Sequence, residues 1–158
     1  MSAKLNGNRA VIEELIYESC MAMDKVDFDG FLELCSPQFH YKLSAYSPEV
    51  KHDMNWLDHD RVELEDLFNT QSKHNYDHSP LTRNAVVYKV EIDDAKKQAN
   101  VVSAVQIFKT NLNGGATQLF AVGKYYDTVS LGRDKPTLLS RHVKLDTRDL
   151  GWGYHIPF

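Results

Sequence analysis

Gln118–Phe158 reads QLFAVGKYYDTVSLGRDKPTLLSRHVKLDTRDLGWGYHIPF. An apolar run leads into Gly123-Lys124-Tyr125-Tyr126-Asp127, and Gly132-Arg133-Asp134-Lys135-Pro136 carries turn residues. A second apolar run then closes on Arg141-His142-Val143-Lys144-Leu145-Asp146. The spacing predicts strands over Leu119–Val129 and Thr137–Leu145. Arg141, Val143 and Leu145 fall on one face of the last strand, and Ser140, His142, Lys144 and Asp146 on the other.

Working outward, the preceding segment reads the same way. Val86, Tyr88, Val90 and Ile92 alternate with Val87, Lys89 and Glu91, and Asp93-Asp94 begins a turn. Val101–Thr110 is a second long strand, and Asn113-Gly114 signals a hairpin because both residues tolerate positive φ. The first third is helical instead. Ile12, Leu15, Ile16, Ser19 and Met23 form an i, i+3, i+4 stripe, with Glu13, Glu14 and Glu18 off it. Asp27 is a cap for a second, short helix that buries Phe28, Phe31, Leu32 and Cys35, and Ser36-Pro37 ends it. Gln38–Leu43 alternates as a short strand, and residues 44–55 read as a polar loop with a turn at Ser47-Pro48. A third helix is expected from Asp58, capped by that residue and stapled by Leu57 against Val62, with Leu64, Leu67 and Phe68 on its apolar face. Asn69–Leu81 is polar.

Helices followed by a meander make an α+β pattern. Helices packed on the concave face of a strongly curved, mostly antiparallel sheet give a cone, the order of the nuclear transport factor 2-like (cystatin-like, SnoaL-like) fold. Nothing divides the chain, so 1–158 is expected to be one domain. The sheet carries apolar residues on both faces: Val102, Ala104 and Phe108 on one, Val101, Val105 and Ile107 on the other. One helical layer covers one face and leaves the second for subunit packing.

Composition sets limits. The 158 residues carry a net charge of -4 and 42% hydrophobic residues, which suits a soluble globular chain and argues against nucleic acid as main partner. No apolar run approaches the about 20 residues that span a bilayer, and no secretory signal is visible, so a cytoplasmic location is expected. Cys20 and Cys35, both expected in helices, read as buried free thiols.

Local patterns narrow the fold to one group. Leu57-Asp58-His59-Asp60-Arg61-Val62-Glu63-Leu64 is similar to an acidic-Arg pair at the start of a third helix. Ser79-Pro80-Leu81-Thr82-Arg83-Asn84-Ala85-Val86-Val87 looks like a Pro-Ser-Arg-Thr-Arg segment entering a Val-rich strand. Gly123–Asp127 is similar to a Gly-Arg-x-x-Asp strand, and Arg141–Asp146 to Arg-x-x-x-Leu-Asp. In that order they resemble the small (β) subunits of Rieske-type ring-hydroxylating oxygenases, from about Asp27 onward. Lys124 replaces the usual Arg, the 44–55 segment differs, and the Asp149–Phe158 tail is Gly- and aromatic-rich. These departures suggest a divergent member serving an oxygenase with a non-aromatic substrate such as an alkanesulfonate.

The resemblance implies a non-catalytic subunit that scaffolds large (α) subunits, as a homotrimer within a hetero-hexamer. It implies that the Rieske [2Fe–2S] cluster and the mononuclear iron belong to the large subunit, with no cofactor or metal on this chain. The residues agree: a Rieske centre takes two Cys and two His, and neither cysteine has a histidine two or three residues on. Interface roles are expected for Arg61, Arg83, Arg141 and Asp146, which would set orientation through paired hydrogen bonds, and for Trp152, Tyr154 and Phe158, an aromatic tail that either folds back over its own sheet or docks on a neighbour as anchors. His52, Asp53, His59, His74, Asp77 and His78 are the residue types of an iron site, but read better as a polar surface. An autonomous cavity enzyme of the same fold is the alternative: a dehydratase, isomerase or cyclase acting on a small apolar substrate. Its acid–base pair would come from His142 or His40 with Asp24, and Tyr17, Tyr41 and Trp56 could also reach the interior. A third reading is a ligand-binding protein without catalysis.

Overall fold

The computed structural model describes residues 2–74, 78–132, 134–151 and 157–158, with side chains described at 8–70 and from 78 onward within these. Trp152 and Tyr154 lie outside the described residues, as do Asp77 and the side chain of His74. Helix α1 spans Ser2–Asp24, α2 Phe28–Glu33 and α3 Arg61–His74; strands are β1 Cys35–Ser47, β2 His52–Asp60, β3 Leu81–Asp93, β4 Gln98–Thr110, β5 Thr117–Ser130 and β6 Thr137–Leu145. The six strands form one sheet in the order β2-β1-β6-β5-β4-β3. Every neighbouring pair is antiparallel except β1 and β6, which run parallel.

The apolar stripe of α1 is fully buried: Ile12, Leu15, Ile16, Ser19 and Met23 all lie in the core, with Cys20 beside them. They pack on the inward residues of the sheet, Tyr41, Leu43 and Ala45 of β1, Val143 and Leu145 of β6, Tyr125 and Val129 of β5, and Val101, Val105 and Ile107 of β4. Period-two burial along β4, β5 and β6 is the signature of a sheet with one covered face. Asp27 caps α2, its carboxylate accepting from Gly30 N at 3.0 Å. Phe28 stacks on Phe68 of α3 with centroids 4.2 Å apart.

Three expectations are corrected. Residues 44–55 are no loop: β1 continues to Ser47, a turn follows, and β2 begins at His52. The segment reads as polar because β2 is an edge strand, and Asp53, Asp58 and Asp60 are the charges that keep such an edge from pairing with another chain. Cys35 opens β1 rather than closing a helix, and its Sγ donates to Phe31 O at 3.3 Å. Helix α3 starts three residues later than expected. Asp60 is its cap: Glu63 N donates to Asp60 Oδ1 at 2.9 Å, and Asp60 N donates to Glu63 Oε1 at 3.2 Å. This reciprocal box outcompetes Asp58, whose carboxylate meets His40 on the neighbouring strand. Val62 is 66% exposed, so no staple with Leu57 forms. Asp60→Ala is expected to lower stability by about 1 kcal/mol, read from the urea midpoint; Asp58→Ala should cost less than half of that.

At the hairpin between β4 and β5 the left-handed conformation falls on Gly114 and Gly115, at φ 84° and 70°, while Asn113 keeps negative φ. Asn111 N donates to Ala116 O at 2.8 Å and closes the loop.

Candidate functional site

The sheet has a buried face and an open one, and the candidate residues divide between them. On the buried face, Arg141 of β6 and Asp127 of β5 form a two-pronged pair. Nε donates to Oδ1 at 2.8 Å, Nη2 donates to Oδ2 at 3.0 Å, and Nη2 also reaches Ser19 Oγ at 3.0 Å. Their side chains are 1% and 0% exposed. Register explains the meeting, because Asp127 and Arg141 are direct cross-strand partners. The guanidinium also lies 4.1 Å from the centroid of the Tyr125 ring. Burial pushes the Asp127 carboxyl up against the pull of Arg141. Burial alone would lower Arg141, and the Asp127 charge overcomes it, so the guanidinium stays charged.

A second pair lies on the same inner face, where Arg83 stands opposite Ile107. Arg83 N and Arg83 Nη1 both donate to Asp24 Oδ1 at 3.0 Å, linking β3 to the end of α1. The rest of that guanidinium serves the last two residues: Nε donates to Phe158 O and Nη2 to Pro157 O, each at 3.3 Å. Tyr125 OH donates to the same Phe158 oxygen, and Phe158 N donates to Tyr41 OH at 2.7 Å. Phe158 is 2% exposed and its ring lies 5.9 Å from that of Phe120. Burial raises both tyrosine phenols, so they act as neutral donors and acceptors.

The open face holds His142 and His40, while His59, opposite Tyr41, falls on the inner one. His142 Nε2 and Ser44 Oγ are 2.7 Å apart across β6 and β1. Partial burial and the charges of Lys144 and Lys42 hold His142 below the usual imidazole range. A recess of about 180 Å³ opens beside it, lined by Ser44, Tyr46, Asp53, Lys124, Tyr126, Lys144, Leu145 and Asp146. His40 pairs with Asp58 at the exposed end of the same face. His59 sits 3.5 Å from Glu63.

The acid–base grouping expected of a cavity enzyme therefore does not assemble. His142 and His40 stand on the open face, while Asp24 is bound to Arg83 at the inner one. Tyr17 OH accepts from Val87 N at 3.3 Å, joining α1 to β3. Trp56 packs against the core from edge strand β2. The three arginines expected at an interface all make bonds within the chain. Arg83 and Arg141 are buried and bonded within the chain, and Arg61 Nη1 donates to Leu32 O at 2.7 Å and Cys35 O at 3.1 Å, tying α3 to the α2–β1 joint. Phe158 is an interior residue. Asp146 alone of the four expected charged residues is exposed. Asp127, Tyr125 and Tyr41 were missed as partners; the signal was their period-two position on the Arg141 side of the sheet.

The two cysteines, which a Rieske cluster would need as thiolates, are buried thiols. Burial pushes the Cys35 thiol up to about 12 and raises Cys20 too, the opposite of what a thiolate ligand needs. Among the described residues no three His, Cys, Asp or Glu side chains are grouped for a metal. No described helix is long and apolar enough to cross a membrane.

Comparison with known proteins joins these observations. Residues 18–151 match the ring-hydroxylating beta subunit family. The chain belongs to that family. It is 38% identical over 153 residues to the methanesulfonate monooxygenase hydroxylase subunit beta of Methylosulfonomonas methylovora, covering 92% of this chain and 84% of that one. It is 32% identical over 146 residues to the 2-aminobenzenesulfonate 2,3-dioxygenase subunit beta of an Alcaligenes species, covering 92% and 96%. The crystal structure of the beta subunit of a proposed aromatic-ring-hydroxylating dioxygenase from Novosphingobium aromaticivorans superposes with a TM-score of 0.76 at 19% identity, covering 94% of each chain. The helix-on-curved-sheet architecture of a β subunit is thus the one observed. In this chain the Gly123–Asp127 and Arg141–Asp146 segments supply the two halves of the buried Asp127–Arg141 pair.

Proposed function

We propose that this chain is the non-catalytic small subunit of a Rieske non-haem iron oxygenase acting on an organosulfonate, and that it scaffolds the large (α) subunits. The iron centres belong to the large subunit in this reading, and the complex is cytoplasmic. The relatives named for methanesulfonate and 2-aminobenzenesulfonate support the sulfonate class. One observation carries the scaffold role over the cavity enzyme. The acid, the arginines and the tyrosines inside the cone are bonded to one another or to Pro157–Phe158, so none of them faces a substrate.

The open face of the sheet supports assembly as a trimer of small subunits carrying three large ones. Val86 and Tyr88 are 51% and 61% exposed, and Tyr126 is 39% exposed. Beside them lie the half-buried Val102, Ala104 and Val122. Apolar side chains on an uncovered sheet face mark a subunit contact. Lys124, Lys144 and Asp146 flank this patch and supply the charges that orient a partner. The double variant Val86→Lys/Tyr88→Asp is expected to reduce the assembly to its smallest unit in light scattering while leaving the circular dichroism unchanged. An unchanged mass would move the contact elsewhere.

The direct test is co-expression with a Rieske-type large subunit of a sulfonate oxygenase, followed by light scattering and an iron assay. A stable complex of equal numbers of both chains, with all iron on the large subunit, is expected. A chain that ignores the large subunit and turns over a substrate alone would sink the reading.

A further inference from the structure

The end of the chain sits where a ligand would sit. Pro157 and Phe158 lie inside the cone, and the groups that hold them are themselves held by other parts of the fold. Tyr41 and Tyr125 stand on β1 and β5 of the sheet, and Arg83 is fixed by Asp24 through its backbone N–H and its Nη1. Those walls do not depend on Pro157–Phe158 for their positions, which is the condition for a preformed pocket.

The contacts are also those of recognition rather than of packing alone. One oxygen, Phe158 O, receives two donors, the Tyr125 hydroxyl and Arg83 Nε. The neighbouring Phe158 N–H is read by Tyr41 OH, and the Pro157 carbonyl by Arg83 Nη2. The benzyl group meets Phe120 at 5.9 Å between centroids. The ring is met by Phe120, the donor by Tyr41, and both acceptors by Arg83 with Tyr125 added at one of them, in a buried interior where such hydrogen bonds discriminate strongly.

We propose that the inner cone is a binding pocket for an N-acyl phenylalanine-type molecule, one phenyl ring with an N–H donor between two acceptor oxygens. The Pro157–Phe158 segment is its built-in occupant. The segment closes the pocket in cis, so a free molecule binds only when that segment is withdrawn. This inference uses the same Pro157–Phe158 contacts that favour the scaffold role, and it adds binding in the inner cone without turnover while assembly stays on the open face.

Two full-length variants test it. Phe158→Gly removes the benzyl group and leaves the backbone contacts in place. Its melting temperature should fall by about 10 °C, and toluene, the size of the missing group, should restore about half of the loss while leaving the wild-type chain unmoved. Phe158→Asp places a charge against Phe120 and drives the segment out. This variant should bind N-acetyl-L-phenylalaninamide by calorimetry where the wild-type chain does not. Adding Tyr125→Phe should weaken that binding about fivefold to tenfold, the loss of one buried hydrogen bond. Should Phe158→Asp fail to fold, the toluene experiment decides alone. A Phe158→Gly chain as stable as wild type, one whose lost stability toluene does not restore, or toluene acting equally on both chains would each overturn the proposal.

Discussion

Arg141→Met is expected to destabilise the fold by about 3–5 kcal/mol, because it strips a fully buried carboxylate of its partner. Asp127 is enclosed on the inner face of β5, and Arg141 supplies both of its N–H donors. Methionine preserves the volume and the apolar stem of the arginine, so packing changes little and the loss reports the orphaned charge. The double variant Asp127→Leu/Arg141→Met should recover more than half of that loss, since an apolar pair of similar volume removes the desolvation cost from both sides. Denaturant midpoints at pH 7 measure the cycle. A further sign distinguishes this cause from a packing defect. In Arg141→Met the buried Asp127 loses the charge that opposes its desolvation, so its folded pKa, already raised by burial in the wild type, moves further above the unfolded value. The folded state then binds more protons than the unfolded one, and stability is gained as pH falls toward the unfolded carboxylate value near ~4. The single variant should therefore close part of its gap to wild type between pH 7 and pH 5. Equal losses in the single and double variants, with no pH dependence, would mean that the site tolerates a lone carboxylate and that the lost stability is one of shape.

The same pair marks the limit of reading this chain from its residues. Period-two alternation places Arg141 on one face with Val143 and Leu145, all of which are buried in the structure. The alternation was legible; what was not legible was that a charge could follow its apolar neighbours inward. Arg and Asp are seldom fully buried unless paired, and the partner stands 14 residues away on another strand. Arg83 repeats the lesson with Asp24, 59 residues earlier. The stripe of α1 and the cap of α2 could be read directly because their partners lie within one or two turns. Strands β3 to β6 were readable because one covered face imposes alternation on each. Edge strand β2 was not, since its polarity answers to water on one side and matches that of a loop. Asp58 and Asp60 are equally good caps in isolation, and Glu63 three residues after Asp60 breaks the tie. His142 and His40 carry residue types suited to catalysis, but only the position of the helical layer tells which face is the inside of the cone. Phe158 reads equally as a tail folded back over its own sheet or as an anchor on a neighbour, because nothing local to it reveals Tyr41, Tyr125 and Arg83.

Gly123→Ala is the second change with a large expected effect. It tests why a glycine opens the Gly123–Asp127 segment. Gly123 of β5 lies opposite Leu145 of β6. A Cβ added there would stand 2.3 Å from the Lys144 carbonyl oxygen, 2.8 Å from Leu145 Cα and 3.0 Å from Leu145 Cδ2. Two of those three atoms are backbone, so no rotamer change relieves the clash; one strand must move. Movement is resisted on both sides of the contact. Val122 O accepts from Asp146 N at 2.8 Å, and Val122 N donates its own proton to Thr147 Oγ1 at 2.9 Å, fixing β6 where it leaves the sheet. On the other side Tyr125 and Asp127 hold the buried pair and the end of the chain. The variant is expected to lose about 3 kcal/mol, the upper end of the range for overpacking a tight site, with the loss of amide protection concentrated in β5 and β6. Gly132→Ala is the matched control: its added Cβ meets nothing nearer than Lys97 Cδ at 4.0 Å, and its effect should stay within about 0.5 kcal/mol. If Gly123→Ala proved as mild as the control, the close approach of β5 to β6 would have to be soft, and the glycine would owe its place to something other than the distance between those strands. A large loss at Gly123 alone ties the buried Asp127–Arg141 pair to the same requirement, since both depend on β5 and β6 lying at one fixed separation.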